Sequence, residues 1–435
     1  MIVVIGAGES GIGAALLAKK LDRPVYVSDN GVIDEKYKEE LINNKIDFEE
    51  SGHDFDRLIN AKLAIVSPGV PDGAEPIKVL IEAGVEIISE IEFGYRNTNA
   101  TIIAITGSNG KTTTTGLIYH ILRDAEYDVA IGGNYGIAMC RVLASRQPEY
   151  FVLELSSFQL EKVKTFKADI AIILNITPDH LDRYEYNMDR YVEAKMNIVN
   201  NQTSENAIIY NDDDRYIQSN LDKRILPSTR RIPLSTKDYI TGLVSTDTNL
   251  VFQTQLKGVH NLFNASCAIA ACREIGLLES QIASGLATFT NMAHRMEPIA
   301  VIKGVQYIND SKATNVDAVF YALDAMTTPV IWIAGGADKG NDYTQIDQLV
   351  KEKVKALICL TAYPEPLTTA FGNVIDEIII TEDVVEAIRV AAHYAEVGDT
   401  VLLSPACASF DLFSNYMDRG EQFRNAALRL LDEKN

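Results

Sequence analysis

Positive charge is in short supply: the 435-residue chain carries 40 Lys and Arg against 60 Asp and Glu, a formal net charge of −20. That balance argues against a groove for nucleic acid or a face for anionic membrane, while leaving room for a local nest of donors around a nucleotide. Cysteine is sparse as well. The five present are odd in number and include no Cys-x-x-Cys pair, so no disulfide framework is indicated and a reducing cytoplasm is the expected location. No apolar stretch is long enough to span a bilayer. The opening Met1-Ile-Val-Val-Ile-Gly6 lacks a basic leader and reads as a first strand rather than a signal peptide. Internal repeats and low-complexity tracts are absent too.

What is present is a 47% hydrophobic chain in which short apolar strands alternate with helical patterns. This predicts an α/β protein with parallel sheets, and the length suits about three domains at roughly 150 residues each. Residues 1–93 hold a strand, a glycine turn, a helix over 12–21 and strands at 25–28 and 63–66, a Rossmann-like half-domain. Residues 94–293 read as a central P-loop ATPase-like parallel sheet, with strands at 150–155 and 169–175 and a weakly periodic polar stretch of short strands and turns over 211–257. Residues 294–435 repeat the alternation at 329–334, 356–360, 377–380 and 400–403, a second Rossmann-like domain.

The most telling motif is Ile105-Thr-Gly-Ser-Asn-Gly-Lys-Thr-Thr113, set between an apolar strand and a helix. Gly107 and Gly110 let successive amides converge on an anion, with Ser108 and Asn109 between them. The helix start adds partial positive charge, Lys111 can reach outer phosphates, and Thr112, beside Thr113, can hold Mg²⁺. A standard loop has four residues between its glycines and this one has two; a plain glycine-rich turn remains the alternative. Upstream, Gly6-Ala-Gly-Glu-Ser-Gly11 precedes Asp29 and Asn30 at the next strand end. A half-domain of this kind suits a nucleotide diphosphate, with Glu9 and Ser10 in the turn and Asp29 and Asn30 near base or ribose; a tight turn without ligand stays open.

Glu154 ends an almost wholly apolar strand, where α/β sheets bind ligands, and a carboxylate beside a phosphate loop is a natural Mg²⁺ ligand, with a plain acid at a sheet edge as the alternative. The next strand runs into Asn175-Ile-Thr-Pro-Asp-His180. His180 can bind a metal or orient a carboxylate, though a loop histidine more often packs or faces solvent. Lys195, in Tyr191-Val-Glu-Ala-Lys-Met196, reads by itself as a solvated lysine. In the last block Asp310-Ser-Lys-Ala-Thr-Asn315, Gly335-Gly-Ala-Asp-Lys-Gly340 and Ser404-Pro-Ala-Cys-Ala-Ser-Phe-Asp411 each come after an apolar strand. Three such ends suggest a site for a small anion, with surface turns as the alternative. Cys407 lacks an obvious histidine partner, which argues against a catalytic thiol.

Together these motifs, with Asn264 in His260-Asn-Leu-Phe-Asn264 and the pair His294-Arg295, make the chain resemble the Mur ligase family, in its D-glutamate-adding branch. The shortened phosphate loop fits that family. The resemblance implies an ATP-dependent ligase of peptidoglycan synthesis that joins D-glutamate to UDP-N-acetylmuramoyl-L-alanine through an acyl phosphate. It implies that Gly107 to Thr113, Asn264, Arg295, Asp310 and Lys312 surround ATP, with Lys111, His180, Lys195 and Lys312 catalytic. Thr112 and Glu154 would hold one Mg²⁺ or Mn²⁺, and His180 and Lys195 a second, Lys195 carrying a CO₂-derived carbamate. Glu9, Ser10, Asp29, Asn30, Asn134, Ser156 and Gln159 would contact the UDP-substrate, and His180, Thr314, Lys339, Ser409 and Tyr416 D-glutamate. Tyr416 stands where the family often has phenylalanine, and Lys339 is placed by register. A monomer whose third block closes over the second is the expectation. Rival readings are a sister ligase, a folylpolyglutamate synthase, which the glycine-rich first block disfavours, an NAD-dependent oxidoreductase, which leaves Lys111 and Glu154 idle, and a nucleotide-dependent switch.

Overall fold

The computed structural model describes residues 1–179, 181–224, 229–235, 243–244, 251–256, 258–290, 293–338 and 340–432. The chain divides into two compact units, Met1–Gln255 with Asn261–Phe289 and Leu256–His260 with Thr290–Asn435. The first unit holds two parallel sheets and the second a mixed one.

The first sheet comprises β1 (Ile2–Ile5), β2 (Val25–Ser28), β3 (Asp47–Glu49), β4 (Leu63–Val66) and β5 (Glu86–Ser89) in the order β3-β2-β1-β4-β5, all parallel. β1 is buried at every residue, as its uninterrupted Ile-Val-Val-Ile dictates for a strand covered on both faces. The second sheet comprises β6 (Thr101–Thr106), β7 (Val129–Gly133), β8 (Tyr150–Glu154), β9 (Ile170–Ile173), β10 (Ala207–Asn211) and β11 (Arg230–Leu234) in the order β11-β10-β9-β6-β8-β7, again all parallel. In both sheets the chain order reverses beside the strand that feeds a glycine turn, β1 and β6. Loops leaving such a switch point open onto a crevice at the carboxyl ends of the strands.

The polar stretch after residue 211 contains more order than its sequence signals: a helix spans Arg215–Arg224, succeeded by β11 and a ribbon of β12 (Leu243–Val244) with β13 (Val251–Phe252). Only Ile217 and Leu221 of that helix are buried, so the apolar period is too faint to read.

The third sheet comprises β14 (Glu297–Ile302), β15 (Val305–Asn309), β16 (Val330–Ala334), β17 (Val354–Leu360), β18 (Ile378–Thr381) and β19 (Thr400–Leu403), ordered β14-β15-β19-β16-β17-β18. It departs from the all-parallel expectation at its edge, where β14 runs antiparallel to β15. Lys303 and Gly304 join them with φ of 50° and 79°, the two left-handed residues of a tight hairpin turn. Its other neighbours are parallel.

Within the first unit one apolar core runs from Ile2 and Val4 through Phe93 to Phe151 and Ile173. A buried carboxylate fastens the same region. Glu92 is fully buried and accepts hydrogen bonds from the amides of Lys164, Thr165 and Phe166, from the Thr165 hydroxyl and from Arg96 Nε. Burial alone would raise its pKa, but the donors, led by the Thr165 hydroxyl and the Lys164 amide, overcome this and hold it below the usual value. A lowered carboxylate contributes stability that is complete above its unfolded pKa and is lost as pH falls through its folded pKa. Glu92→Gln is therefore expected to lower unfolding free energy at pH 7 by about 3 kcal/mol. Urea unfolding at stepwise lower pH should show the gap to the unsubstituted protein narrowing in the acid range; a gap independent of pH would contradict the assignment.

Candidate functional site

At the end of β6 the chain turns through residues 107–110 into the helix Lys111–Asp124. Gly110 is the N-cap with φ 83°, and a Cβ there would lie 2.5 Å from Asn264 Oδ1. Left-handed backbone and contact with the Asn264 amide together demand glycine. The loop is held from the end of β9: the Ser108 amide donates to Asn175 O at 2.9 Å, the Asn109 amide to Asn175 Oδ1 at 2.8 Å, and the Asn175 side-chain amide returns a bond to Asn109 O at 3.1 Å. Ser108 Oγ donates to Thr177 O at 2.8 Å and lies 2.9 Å from the Tyr191 hydroxyl.

Two lysines converge here. Lys111 Nζ donates to Gly107 O at 2.6 Å and Ser108 O at 2.8 Å, and Lys195 Nζ donates to the same Gly107 O at 2.9 Å. Lys195 is 2% exposed, not solvated, and its ammonium lies over the Tyr191 ring, 4.6 Å from the centroid. Burial, then the nearby Lys111 charge, push its pKa well below the usual lysine value, against the opposing pull of Asp179 and Glu154.

Beside the loop, Ile105 pairs with Glu154, which is 1% exposed at the end of β8. Asn134 Nδ2 donates to Glu154 Oε1 at 2.8 Å, and the Asn134 amide to Glu154 O at 2.8 Å. The buried Thr112 sits one residue into the helix. Ser156 and Gln159 form a reciprocal capping box on the short helix after β8. A hydroxyl and a carboxylate are the hard oxygen donors that Mg²⁺ takes alongside phosphate oxygens, so this pair fits such an ion. Among the described residues no group of three His, Cys, Asp or Glu side chains is set to hold a metal; a phosphate-bound Mg²⁺ does not need one. His180 lies outside the described residues.

At the first sheet, a cavity of about 420 Å³ opens at the β1/β4 switch point, lined among others by Gly6, Asp29, Asn30, His53, Val70 and Pro71. A Cβ on Gly11 would stand 1.8 Å from Gly6 O, so glycine alone lets the helix Glu9–Lys20 start this close to the turn. No side chain caps that helix. Asp29 braces the turn, accepting from the Ala7 amide at 2.6 Å and the Gly31 amide at 2.8 Å. Ser10 is half-buried in the first helical turn. Glu9 instead accepts from Arg141 Nε at 2.7 Å and the Ala138 amide at 3.1 Å, and Arg141 also pairs with Glu40.

In the second unit Asp310 comes directly after β15, buried, with the Met296 amide and Ser404 hydroxyl donating to its carboxylate at 3.1 and 3.0 Å. Burial raises its pKa to about 7 against those bonds and the charge of the adjacent Arg295. Lys312 Nζ stands 5.3 Å from the Tyr416 ring centroid, and Ser409 is buried. Arg295 and Thr314 are half-buried. Lys339 lies outside the described residues.

The deciding observation is similarity over the whole chain. The Mur ligase middle domain model matches residues 105–272, the Mur ligase glutamate ligase domain model residues 294–407, and the MurD N-terminal domain model residues 1–75. The protein of Cytophaga hutchinsonii named UDP-N-acetylmuramoylalanine--D-glutamate ligase is 46% identical, covering 99% of each chain. Its namesake in Christiangramia forsetii is 44% identical, again over 99% of each. The chain belongs to the Mur ligase family. Its fold is that of the Thermotoga maritima UDP-N-acetylmuramate-alanine ligase structure, with a TM-score of 0.64 at 18% identity, covering 100% of this chain and 99% of that one.

Three residues of this Mur ligase were not singled out from sequence. Asn175 and Tyr191 clamp the phosphate loop. Arg419, 1% exposed on the helix Tyr416–Asp432, donates to Ser311 Oγ and O, Gly335 O and Cys407 O at 2.8 to 3.2 Å. One guanidinium thus ties the three strand-end loops of the second unit together. The only signal was a cation on the inner face of an amphipathic helix. Arg419→Leu leaves those carbonyls buried without a donor and is expected to destabilise the second unit by about 3 kcal/mol. Chemical denaturation monitored by Trp332 fluorescence should report the loss; an unchanged midpoint would contradict the clamp.

Proposed function

We propose that this Mur ligase joins D-glutamate to UDP-N-acetylmuramoyl-L-alanine at the expense of ATP. The observation that carries the reading is full-length identity of 44–46% to two ligases of that name, supported by the meeting of loop, Glu154, Asn134 and Lys195 at adjoining strand ends. The domain assignment is 1–93 for UDP-substrate, 94–293 for ATP and 294–435 for the amino acid. Five buried, unbridged cysteines agree with a reducing cytoplasm.

A carboxylate repels an amine and offers only oxide as leaving group, so activation must precede bond formation. An oxygen of the L-alanyl carboxylate attacks the γ-phosphorus, and ADP departs. The amine of D-glutamate then adds to the acyl carbon, the tetrahedral adduct expels phosphate, and the amine proton leaves to a base. In this reading the 107–113 amides and Lys111 grip the phosphates, and Asn264, Arg295, Asp310 and Lys312 surround the nucleotide. Asn134, Ser156 and Gln159 orient the muramoyl arm. Thr314, Lys339, Ser409 and Tyr416 hold D-glutamate, with His180 beside them. Bound Mg²⁺, held by Thr112 and Glu154 and at a second position by His180 and carbamylated Lys195, would offset charge on the transferring phosphoryl group. Burial of Lys195 near the Lys111 charge supports carbamylation: beside a cation, an anionic oxygen ligand suits the site better than an ammonium does.

Two outcomes are expected. With UDP-N-acetylmuramoyl-L-alanine, ATP and Mg²⁺, phosphate release should be about 100-fold faster with D-glutamate than with L-glutamate, glycine or L-alanine. Equal rates with all four would reject the assignment. Lys195→Ala should lower kcat by about 100-fold, with short-chain carboxylates restoring part of it and bicarbonate none; full activity in the alanine variant would remove the carbamate.

A further inference from the structure

The joint between the first two blocks has no part in the mechanism above. It is built on the helix Met139–Ser145, whose N-cap, Ala138, supplies no side-chain cap. Two carboxylates of the first block take amides that would otherwise lack partners. Glu9 accepts from the Ala138 amide at 3.1 Å, and Glu90, 2% exposed, from the Cys140 amide at 2.6 Å. Arg141 Nε donates to the same Glu9 oxygen at 2.7 Å, Arg141 Nη1 to Glu40 at 2.5 Å, and the Tyr37 hydroxyl to the other Glu9 oxygen at 3.4 Å. The fit leaves no slack. A Cβ on Gly13, in the helix Glu9–Lys20, would stand 2.8 Å from Ala138 Cβ and 3.0 Å from Arg141 N.

The stretch between Ala138 and Asn134 is as tight. The Gly133 amide donates to Ile137 O at 2.8 Å and the Gly136 amide to Gly133 O at 3.4 Å, closing the loop on itself. Gly133 has φ 83°, and a Cβ there would lie 2.2 Å from Glu154 O. Asn134 holds Glu154 twice, its amide donating to Glu154 O and its Nδ2 to Oε1, both at 2.8 Å. A shift at Ala138 therefore has little room to be absorbed before it reaches the Glu154 carboxylate, since close-packed structure transmits strain.

We propose that Glu9 is a positioning residue for the ATP side of the reaction, acting through Ala138 and Asn134 on the Glu154 carboxylate, and not a contact of the UDP-substrate. This rests on the reading that the first block binds a UDP-substrate and the second ATP. Under that reading one substrate is anchored at the first sheet while its carboxylate is activated at the second, so the two must stay in register. Asn134 supports Glu154 as an outer-shell partner supports a metal ligand, and Glu9 supports Asn134.

Calorimetry with UDP, with ADP plus Mg²⁺ and with ADP in EDTA tests this on the full-length protein, alongside steady-state kinetics. Glu9→Met removes the acceptor at similar side-chain length. It should lower kcat about tenfold and shrink by a similar factor the gain in ADP affinity that Mg²⁺ brings. UDP and metal-free ADP should bind within about twofold of the unsubstituted protein. Arg141→Met, which opens the joint from the other side, should move kcat and the Mg²⁺ gain in the same direction. Glu9→Gln keeps an acceptor oxygen for the Ala138 amide and should retain most of both. In an Asn134→Ala background, Glu9→Met should take nothing further from the Mg²⁺ gain, because its effect passes through Asn134; additive losses overturn the relay. Weaker UDP binding with kcat and the Mg²⁺ gain intact makes Glu9 a substrate contact and also overturns it. So do variants that melt early in thermal unfolding yet keep kcat and the Mg²⁺ gain per folded molecule, the result a plain brace would give. An unsubstituted protein that binds ADP with Mg²⁺ but forms no product from the three substrates overturns the substrate reading instead, and the Mg²⁺ comparison still decides the relay.

Discussion

The carbonyl oxygen of Gly107 accepts hydrogen bonds from Lys111 at 2.6 Å and from Lys195 at 2.9 Å, which puts two cationic side chains against the end of one buried strand. Like charges this close in a low-dielectric setting are costly unless an anion intervenes or one of them gives up its proton. Both remedies belong to ligase chemistry. Lys111 is suited to phosphate. Lys195 is pushed toward the neutral amine by burial and by Lys111. Glu154, buried one strand away, supplies the negative counterpart. The convergence works only because the loop cannot relax: Asn175, Ser108 and Tyr191 fasten it from β9 and the helix Met188–Met196.

The same device serves both sheets of the first unit. A buried, mostly apolar strand ends in a glycine turn, the turn opens into a helix, and the order of strands reverses there, leaving a crevice. At β1 this gives the cavity bounded by Asp29, His53 and Pro71, and at β6 the glycine loop at residues 107–110. Side chains that do no chemistry hold these crevices in place. Glu92 gathers five donors behind β5, and Glu9 with Arg141 and Glu40 fastens the first helix. In the second unit Arg419 does the equivalent work for three loops.

Much of this was legible in sequence because it is local. Uninterrupted runs such as Ile2-Val-Val-Ile5 announce doubly covered strands, and the residues just beyond each run occupy a strand end, where ligands bind. Glu154 and the 107–113 loop were singled out that way, whereas Asn134 was named only through the family resemblance. What escaped was set by contacts distant in sequence. Lys195 read by itself looks solvated, and only the family resemblance singled it out; its burial depends on packing of the helix Met188–Met196 against the loop at Ser108, more than 80 positions away. Glu9 sits in a turn that suggests a ligand, yet its partner Arg141 is 132 positions away. The β14–β15 hairpin hides because Lys303-Gly304 is a weak turn signal, and the helix Arg215–Arg224 because only two of its residues face the core.

Central to the account is that the loop and its lysines serve to move a phosphoryl group onto a carboxylate. Turnover of UDP-N-acetylmuramoyl-L-alanine labelled with ¹⁸O in the alanyl carboxylate, with ATP and D-glutamate, tests this directly by mass spectrometry of the released phosphate. An acyl phosphate requires one carboxylate oxygen to leave with phosphorus, so each phosphate formed should carry one ¹⁸O. Unlabelled phosphate, with both heavy-oxygen positions of the substrate otherwise accounted for, would contradict it.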